Sequence, residues 1–410
     1  MMKNPRRLIA VLAGALAVTI VVLRLTAASP GGASTPAEPV LDPATMMARV
    51  EAPRTPGASG LAGLTLDEVL REANVPGVSV AVIHDFEIHW AKGYGLAEAG
   101  TTRAVDTGTL FQAASISKPV TAMAVMRLVQ EGRVSLDADI NTILRSWQVP
   151  ASEHTREQPV TLRALFSHTS GADDGFGFPG YQPGAPRPTP VQIIRGESPS
   201  NVGAVTFARA PFHAQKYSGG GTTIVQLAMM DLTGRPFADW MRETVLAPLG
   251  MTASTFAQPF TPADSARAAY AHDNRGDTRN APWHVYPELA AAGLWTTASD
   301  LARFVIEVQR AVRGPQGRVL SQASAREMTT PVGVGPFAVG ILPTRMGEGW
   351  YISHGGSNWG FRGNFWGHVR KGYGMAVLTN GDNGGAVMTE IRERVAAAYG
   401  WDSTFEPLRR

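Results

Sequence analysis

The run from Pro119 to Gly132 constrains this chain more than any other stretch. Val120, Ala122, Met123, Ala124, Val125, Met126, Leu128 and Val129 place apolar side chains almost all the way round a helix. A helix apolar on every side is buried in a core or spans a membrane, and this one is shorter than the roughly 20 residues a span needs. Proline is tolerated in a first turn, so Pro119 fits the start, and Gly132 ends the run. The fold must therefore wrap other elements around this helix. Ser115 and Lys118 stand at its beginning, three residues apart. On a helix that spacing stacks two side chains on one face, about 5–6 Å apart at Cβ. A hydroxyl and an amine are thus presented together at the N-terminus of a buried helix.

At 410 residues the chain is long enough for two or three structural units or one large composite domain. It has no cysteine, which excludes disulfides, a thiol nucleophile, thiolate metal sites and a lipoprotein cysteine. Lys3, Arg6, Arg7 and Arg24 fall within residues 1–28, where there is no acid. Without those four cations the formal net charge of +3 becomes −1. The body has no electrostatic case for nucleic acid. Leu8 to Leu23 carries no charge and is followed by Arg24-Leu-Thr-Ala-Ala-Ser29, so residues 1–28 read as a signal peptide or an N-terminal membrane anchor. Thr26 and Ala28 offer a cleavage site, and both outcomes stay open. Either way the body is expected outside the inner membrane, soluble in the periplasm or tethered. Residues 29–60, rich in Pro, Gly and Ala, read as a linker, and 61–410 as the folded body.

Order is expected to begin at Thr65-Leu-Asp-Glu68, a capping box before a short helix. Val78–Ile83 and Glu87–Ala91 read as a hairpin across His84-Asp85-Phe86. A helix running into a turn is predicted over Thr161–Gly171, and helices at 222–232, 236–246 and from Thr297-Ala-Ser-Asp300 to about Val312, with a helical subdomain over approximately 110–290. Residues 172–200 carry Pro179, Pro183, Pro186, Pro188 and Pro190 and read as an irregular lid or wall. From Trp350 the pattern changes to strands at 350–353, 363–369 and 375–379, closed by a helix from Val387 to Tyr399. Strands at both ends and helices between predict an α+β fold: one antiparallel sheet built from both termini, flanked by helices, with a mostly helical insertion.

Ser-x-x-Lys alone arises by chance roughly once in a chain of this length. Taken alone, the pair is better explained as an N-cap serine beside a snorkelling lysine. Two facts sharpen it. Lysine is scarce, occurring only at positions 3, 92, 118, 216 and 371. And Lys118 adjoins a buried helix, where burial disfavours an ammonium and favours an amine able to take a proton. A serine hydroxyl needs such a base to become a nucleophile. The helix start also offers backbone N–H groups to a developing oxyanion.

The chain resembles the serine β-lactamase and penicillin-binding-protein superfamily, in its class C-like branch of esterases, D-amino-acid peptidases and cephalosporinases. The resemblance spans most of residues 65–400. Val75-Pro-Gly-Val-Ser-Val80 resembles the opening strand, and Ser115-Ile-Ser-Lys118 the nucleophile motif. Leu165-Phe-Ser-His-Thr-Ser-Gly171 resembles a marker loop, and Tyr217-Ser-Gly219 the Tyr-x-Asn motif. Pro248-Leu-Gly-Met251 and Ala292-Gly-Leu-Trp-Thr-Thr-Ala298 resemble further blocks. His354-Gly-Gly356 resembles the Lys-Thr-Gly strand in its His-x-Gly variant. The resemblance implies that Ser115 is the acyl-forming nucleophile, Lys118 its base and Tyr217 a proton relay. It also implies an oxyanion hole from the backbone N–H groups of Ser115 and Ser357, with His354, Gly355, Gly356 and Gly219 along the substrate. A phenol relays protons near pH 7 only where cations hold its pKa below the usual value of about 10.

Two positions depart from the pattern. Gly219 replaces the asparagine whose amide would bind an acyl-amide group. His354 replaces a fixed cation, and a neutral imidazole does not grip a substrate carboxylate. Arg362 is near enough in sequence to substitute. The expected function is a serine acyl hydrolase acting on small esters or amides in the cell envelope. A weak β-lactamase or D-amino-acid peptidase is the enzymatic rival, and a non-catalytic penicillin-binding-like sensor or scaffold the rival of another class. The partner is a small-molecule or peptide-like acyl substrate, and the membrane too if the N-terminal segment is retained. No cofactor and no metal are expected, because no histidine pair has ligand spacing. His168 reads as a structural turn residue rather than a base. Asp173-Asp174 reads as a loop cap rather than an acid pair, and His272-Asp273 as surface. Trp283, His284 and Tyr286 either line the acyl pocket or pack.

Overall fold

The computed structural model describes residues 41–175, 177–315, 317–347 and 349–401. The expected signal or anchor of residues 1–28 lies outside them. From Asp42 onward the chain forms one unit. It begins with α1 (Pro43–Glu51), within the stretch read as linker, so that reading is corrected here. Asp42 caps it by accepting from Thr45 N–H at 2.8 Å, Pro43 takes the first helical position, and Met46 and Val50, four apart, are buried. Next come α2 (Leu66–Glu72), with its capping box formed, and the hairpin β1 (Gly77–His84) and β2 (Glu87–Gly95). Asp85 and Phe86 turn it with φ of 49° and 62°, the positive values that a two-residue turn between twisted strands requires.

β3 (Phe111–Gln112) leads through a 3₁₀ turn into α3 (Ser117–Gln130). Then follow α4 (Leu162–Phe166), β4 (Ala172–Asp173), α5 (Pro190–Arg195), β5 (Thr206–Phe207) and α6 (Gly219–Thr233). The Pro-rich segment is thus not wholly irregular. Thr189, Pro190 and Gln192 make a capping box with Pro at the first position, and Gly196 ends α5 at φ 65°. Beyond α6 lie β6 (Trp295–Thr296), the helix Ala298–Arg313, β7 (Leu342–Met346), β8 (Gly349–Asn358), β9 (Phe361–His368), β10 (Gly374–Thr379) and the helix Gly384–Tyr399.

Six strands form one antiparallel sheet in the order β2-β1-β10-β9-β8-β7, built from both ends of the chain as expected. β7 was not anticipated. It contains Pro343, which a ladder tolerates only at an edge, and the edge is where it sits. Side chains alternate across a strand, so Val78, Val80 and Val82 join α1, α2 and the last helix in one core, while Ala81 and Ile83 join the core on the opposite face. Both faces of the sheet are covered. α3 runs through the larger core, with Val120, Met123 and Val125 fully buried. Each such side chain contributes about 1.5–3 kcal/mol by leaving water.

Candidate active site

Every residue from Leu110 to Met126 is buried except Ser115, which is partly exposed. The 3₁₀ turn that leads into the core helix therefore carries the one partly exposed residue of this segment. Lys118 is 2 % exposed. Its Nζ lies 3.1 Å from Ser115 Oγ and donates to the Ala291 carbonyl at 2.9 Å. With one N–H committed to Ala291, Nζ keeps its remaining bonding capacity for the serine. Ala291 is itself fixed. Gln226 of α6 donates to Pro287 O at 3.1 Å and accepts from Ala290 N–H at 3.0 Å, and Ser117 Oγ accepts from Leu294 N–H at 2.9 Å.

Tyr217 lies beside Lys118, whose Nζ is 4.9 Å from the ring centroid. His168 holds this tyrosine in place. Its carbonyl accepts from Lys216 N–H at 2.8 Å, its Nδ1 accepts from Ser218 N–H at 3.2 Å, and its ring lies 4.1 Å from that of Tyr217. The histidine thus binds the backbone on both sides of Tyr217. Burial, then the Lys118 charge, then His354 push its pKa well below the usual histidine value. It is a neutral turn residue, as expected, but its grip on Tyr217 links residues fifty positions apart and has no local sequence signal.

β8 forms the facing wall. Gly356 lies on the turn that carries Ser115, where a Cβ would run into the Ala113 carbonyl, so only glycine lets the strand approach. Ser357 and Gly355 are exposed on this strand. The strand end is held by Asn358, whose side chain donates to Gln112 Oε1 at 2.9 Å and to Ala292 O at 3.1 Å. His354 is buried, and burial, reinforced by the Lys118 charge, lowers its pKa to about 3. Its Nδ1 lies 2.7 Å from the Gly355 carbonyl, which can only accept, so Nδ1 carries the proton and Nε2 a lone pair. Neither His354 Nε2 nor His168 Nε2 has a hydrogen-bond partner among the described residues. Arg362 is committed elsewhere: it donates to Asn358 O at 2.7 Å, to Phe361 O at 2.8 Å and to Asp382 at 2.9 Å. It does not stand in for the missing cation.

Asp174 caps α6, bonding Ser218 Oγ and accepting from Gly220 N–H at 2.7 Å, and Asp173 pairs with Lys216, so the two acids do not act as a pair. Trp283 packs against Phe260 and Trp295. His284 stacks on Trp359 at 3.9 Å, and Tyr286 Oη accepts from Trp359 N–H at 3.0 Å. His272 is not on the surface. It is fully buried, with Nδ1 2.8 Å from Asn380 O and Nε2 accepting from Ala99 N–H at 3.0 Å, because it ties the β2 end to the β10 end. Among the described residues no cluster of His, Asp or Glu could hold a metal, and no helix is long and apolar enough to cross a membrane.

Glu288 was missed by the sequence reading. It is fully buried just before the turn that bears Ala291, neither carboxyl oxygen has a partner among the described residues, and burial pushes its pKa up to about 8. The unfolded chain loses this proton near 4.5 and the folded chain keeps it until about 8. Stability contributed by the protonated form is therefore present below pH 4.5 and lost as pH rises to 8. Glu288→Gln removes the titration. Its advantage in unfolding free energy over the wild type should grow by about 3 kcal/mol between pH 5 and pH 8. Parallel urea melts at the two pH values check this; an advantage that does not change with pH contradicts it.

A serine hydroxyl, a buried lysine and a tyrosine converging beside a glycine-lined strand define an active-serine acyl hydrolase. The β-lactamase family model matches residues 62–400, and the chain belongs to that family. It is 29% identical to penicillin-binding protein 4 of Amycolatopsis lactamdurans, over 79% of this chain and 86% of that protein. It is 27% identical to esterase EstB of Burkholderia gladioli, over 82% and 91%. In fold it is similar to the D-amino acid amidase of Ochrobactrum anthropi SV3, with a TM-score of 0.66, 23% identity, and 88% and 99% of the two chains covered.

Proposed function

We propose that this serine acyl hydrolase opens small esters or amides in the cell envelope through an acyl-enzyme on Ser115. The observation that carries this is the 3.1 Å approach of Lys118 Nζ to the one partly exposed residue of a buried segment. Lys118 takes the Ser115 proton as Oγ attacks the carbonyl. The backbone N–H groups of Ser115 and Ser357 receive the oxyanion. Tyr217, next to Lys118, passes the proton to the leaving group, and the same groups activate the water that frees the acyl group. Export rests on the basic start and uncharged run of residues 1–28.

Ester substrates are favoured over β-lactams and D-amino-acid peptides. The neutral His354 and the committed Arg362 leave a substrate carboxylate without either as a cationic grip. The similarity to esterase EstB along most of both chains supports the same choice. Measured side by side, p-nitrophenyl acetate should exceed nitrocefin in kcat/KM by about a hundredfold, the worth of a lost charge-assisted contact of about 3 kcal/mol. Equal or faster nitrocefin turnover would reverse the assignment. Stoichiometric acylation without turnover would make the protein a sensor.

A further inference from the structure

One side chain beside the start of α6, next to Tyr217, has no role in the chemistry above. Gly219 opens α6, two residues after Tyr217. An ideal Cβ built there would lie 2.6 Å from Phe178 Cε2 and 3.0 Å from Cζ. The ring of Phe178 therefore occupies the space into which any side chain at position 219 would project. Gly219 is more than a lost amide: the Pro-rich segment has put an aromatic ring in its place, and the ring is half-buried, so part of it stays open.

The segment carrying Phe178 is tied at both ends. On one side Asp174 binds Ser218 and Gly220 at the start of α6. On the other, Tyr181 and Val285 exchange backbone hydrogen bonds of 2.8 and 2.7 Å, and the Pro179 carbonyl lies 2.8 Å from His284 Nδ1. His284 stacks flat on Trp359, two residues after Ser357. The strap thus links the residues just past Tyr217 to those just past Ser357, which are the two walls flanking Ser115. The Phe178 ring therefore stands over the first residue of α6, two residues from Tyr217.

We propose that Phe178 is a specificity-determining residue. It fills the acyl subsite beside Tyr217 and restricts the enzyme to short acyl groups without a bulky or amide-bearing arm. This rests on the Ser115 acyl-enzyme reading.

The test compares p-nitrophenyl acetate, butyrate and octanoate on the wild type, Phe178→Ala and Phe178→Leu. Leucine retains an apolar anchor for the strap should alanine unfold it. The octanoate-to-acetate ratio of kcat/KM should rise by about tenfold or more in the alanine variant and by less in the leucine variant, the scale set by a few methylenes gaining room in an apolar pocket. An unchanged ratio in the folded variants, with Ser115 still labelled by a fluorophosphonate, overturns the proposal and leaves the nucleophile standing. Absence of Ser115 labelling in the wild type overturns the acyl-enzyme reading and this proposal with it.

Discussion

Lys118→Ala will lower kcat/KM on p-nitrophenyl acetate by about three orders of magnitude, within the range for removal of a positioned general base. Lys118 is the group that reaches Ser115 Oγ, at 3.1 Å, and its bond to Ala291 O is what aims it. The truncation also strands a buried carbonyl, at about 1–3 kcal/mol of stability, so activity must be compared in folded enzyme. Lys118→Arg separates base from charge. A guanidinium stays protonated and cannot take the serine proton, so arginine should not rescue. Ser170→Ala, in the turn after α4, should keep its labelling at Ser115. A Lys118→Ala enzyme within tenfold of wild type would remove the lysine from the mechanism.

Tyr217→Phe should lower kcat by about a hundredfold while leaving stability within about 1 kcal/mol. The ring makes the packing contacts: it lies 4.1 Å from His168 and 4.9 Å under Lys118 Nζ, and phenylalanine retains both. Only the hydroxyl is lost. If that hydroxyl serves both half-reactions, the variant slows acylation and deacylation together. Stopped-flow release of p-nitrophenol reports the first and steady-state turnover the second. An unchanged kcat would leave Tyr217 a packing residue held by His168.

The approach of Lys118 to Ser115 was legible because its signals are local: a scarce lysine, three residues from a serine, leading into a helix apolar all round. The sheet was legible because β1, β8, β9 and β10 carry strand patterns of their own. What escaped the sequence depends on contacts between distant segments. His168 grips the backbone around Tyr217 across fifty positions, Arg362 is absorbed by Asp382, and Phe178 displaces any side chain at Gly219. His272 looked solvated because its neighbours are polar, yet it bonds Ala99 and Asn380 in the core. α1 and β7 were masked by proline, at positions where proline does no harm: the first turn of a helix and an edge strand.

The most direct measurement is intact-protein and peptide mass spectrometry after acid quench of enzyme mixed with p-nitrophenyl acetate. The account predicts one added acetyl group per chain, on the peptide containing Ser115, absent from Ser115→Ala and scarcely formed by Lys118→Ala. Ester turnover with no acyl mass on that peptide, or with the mass retained in Ser115→Ala, would contradict it.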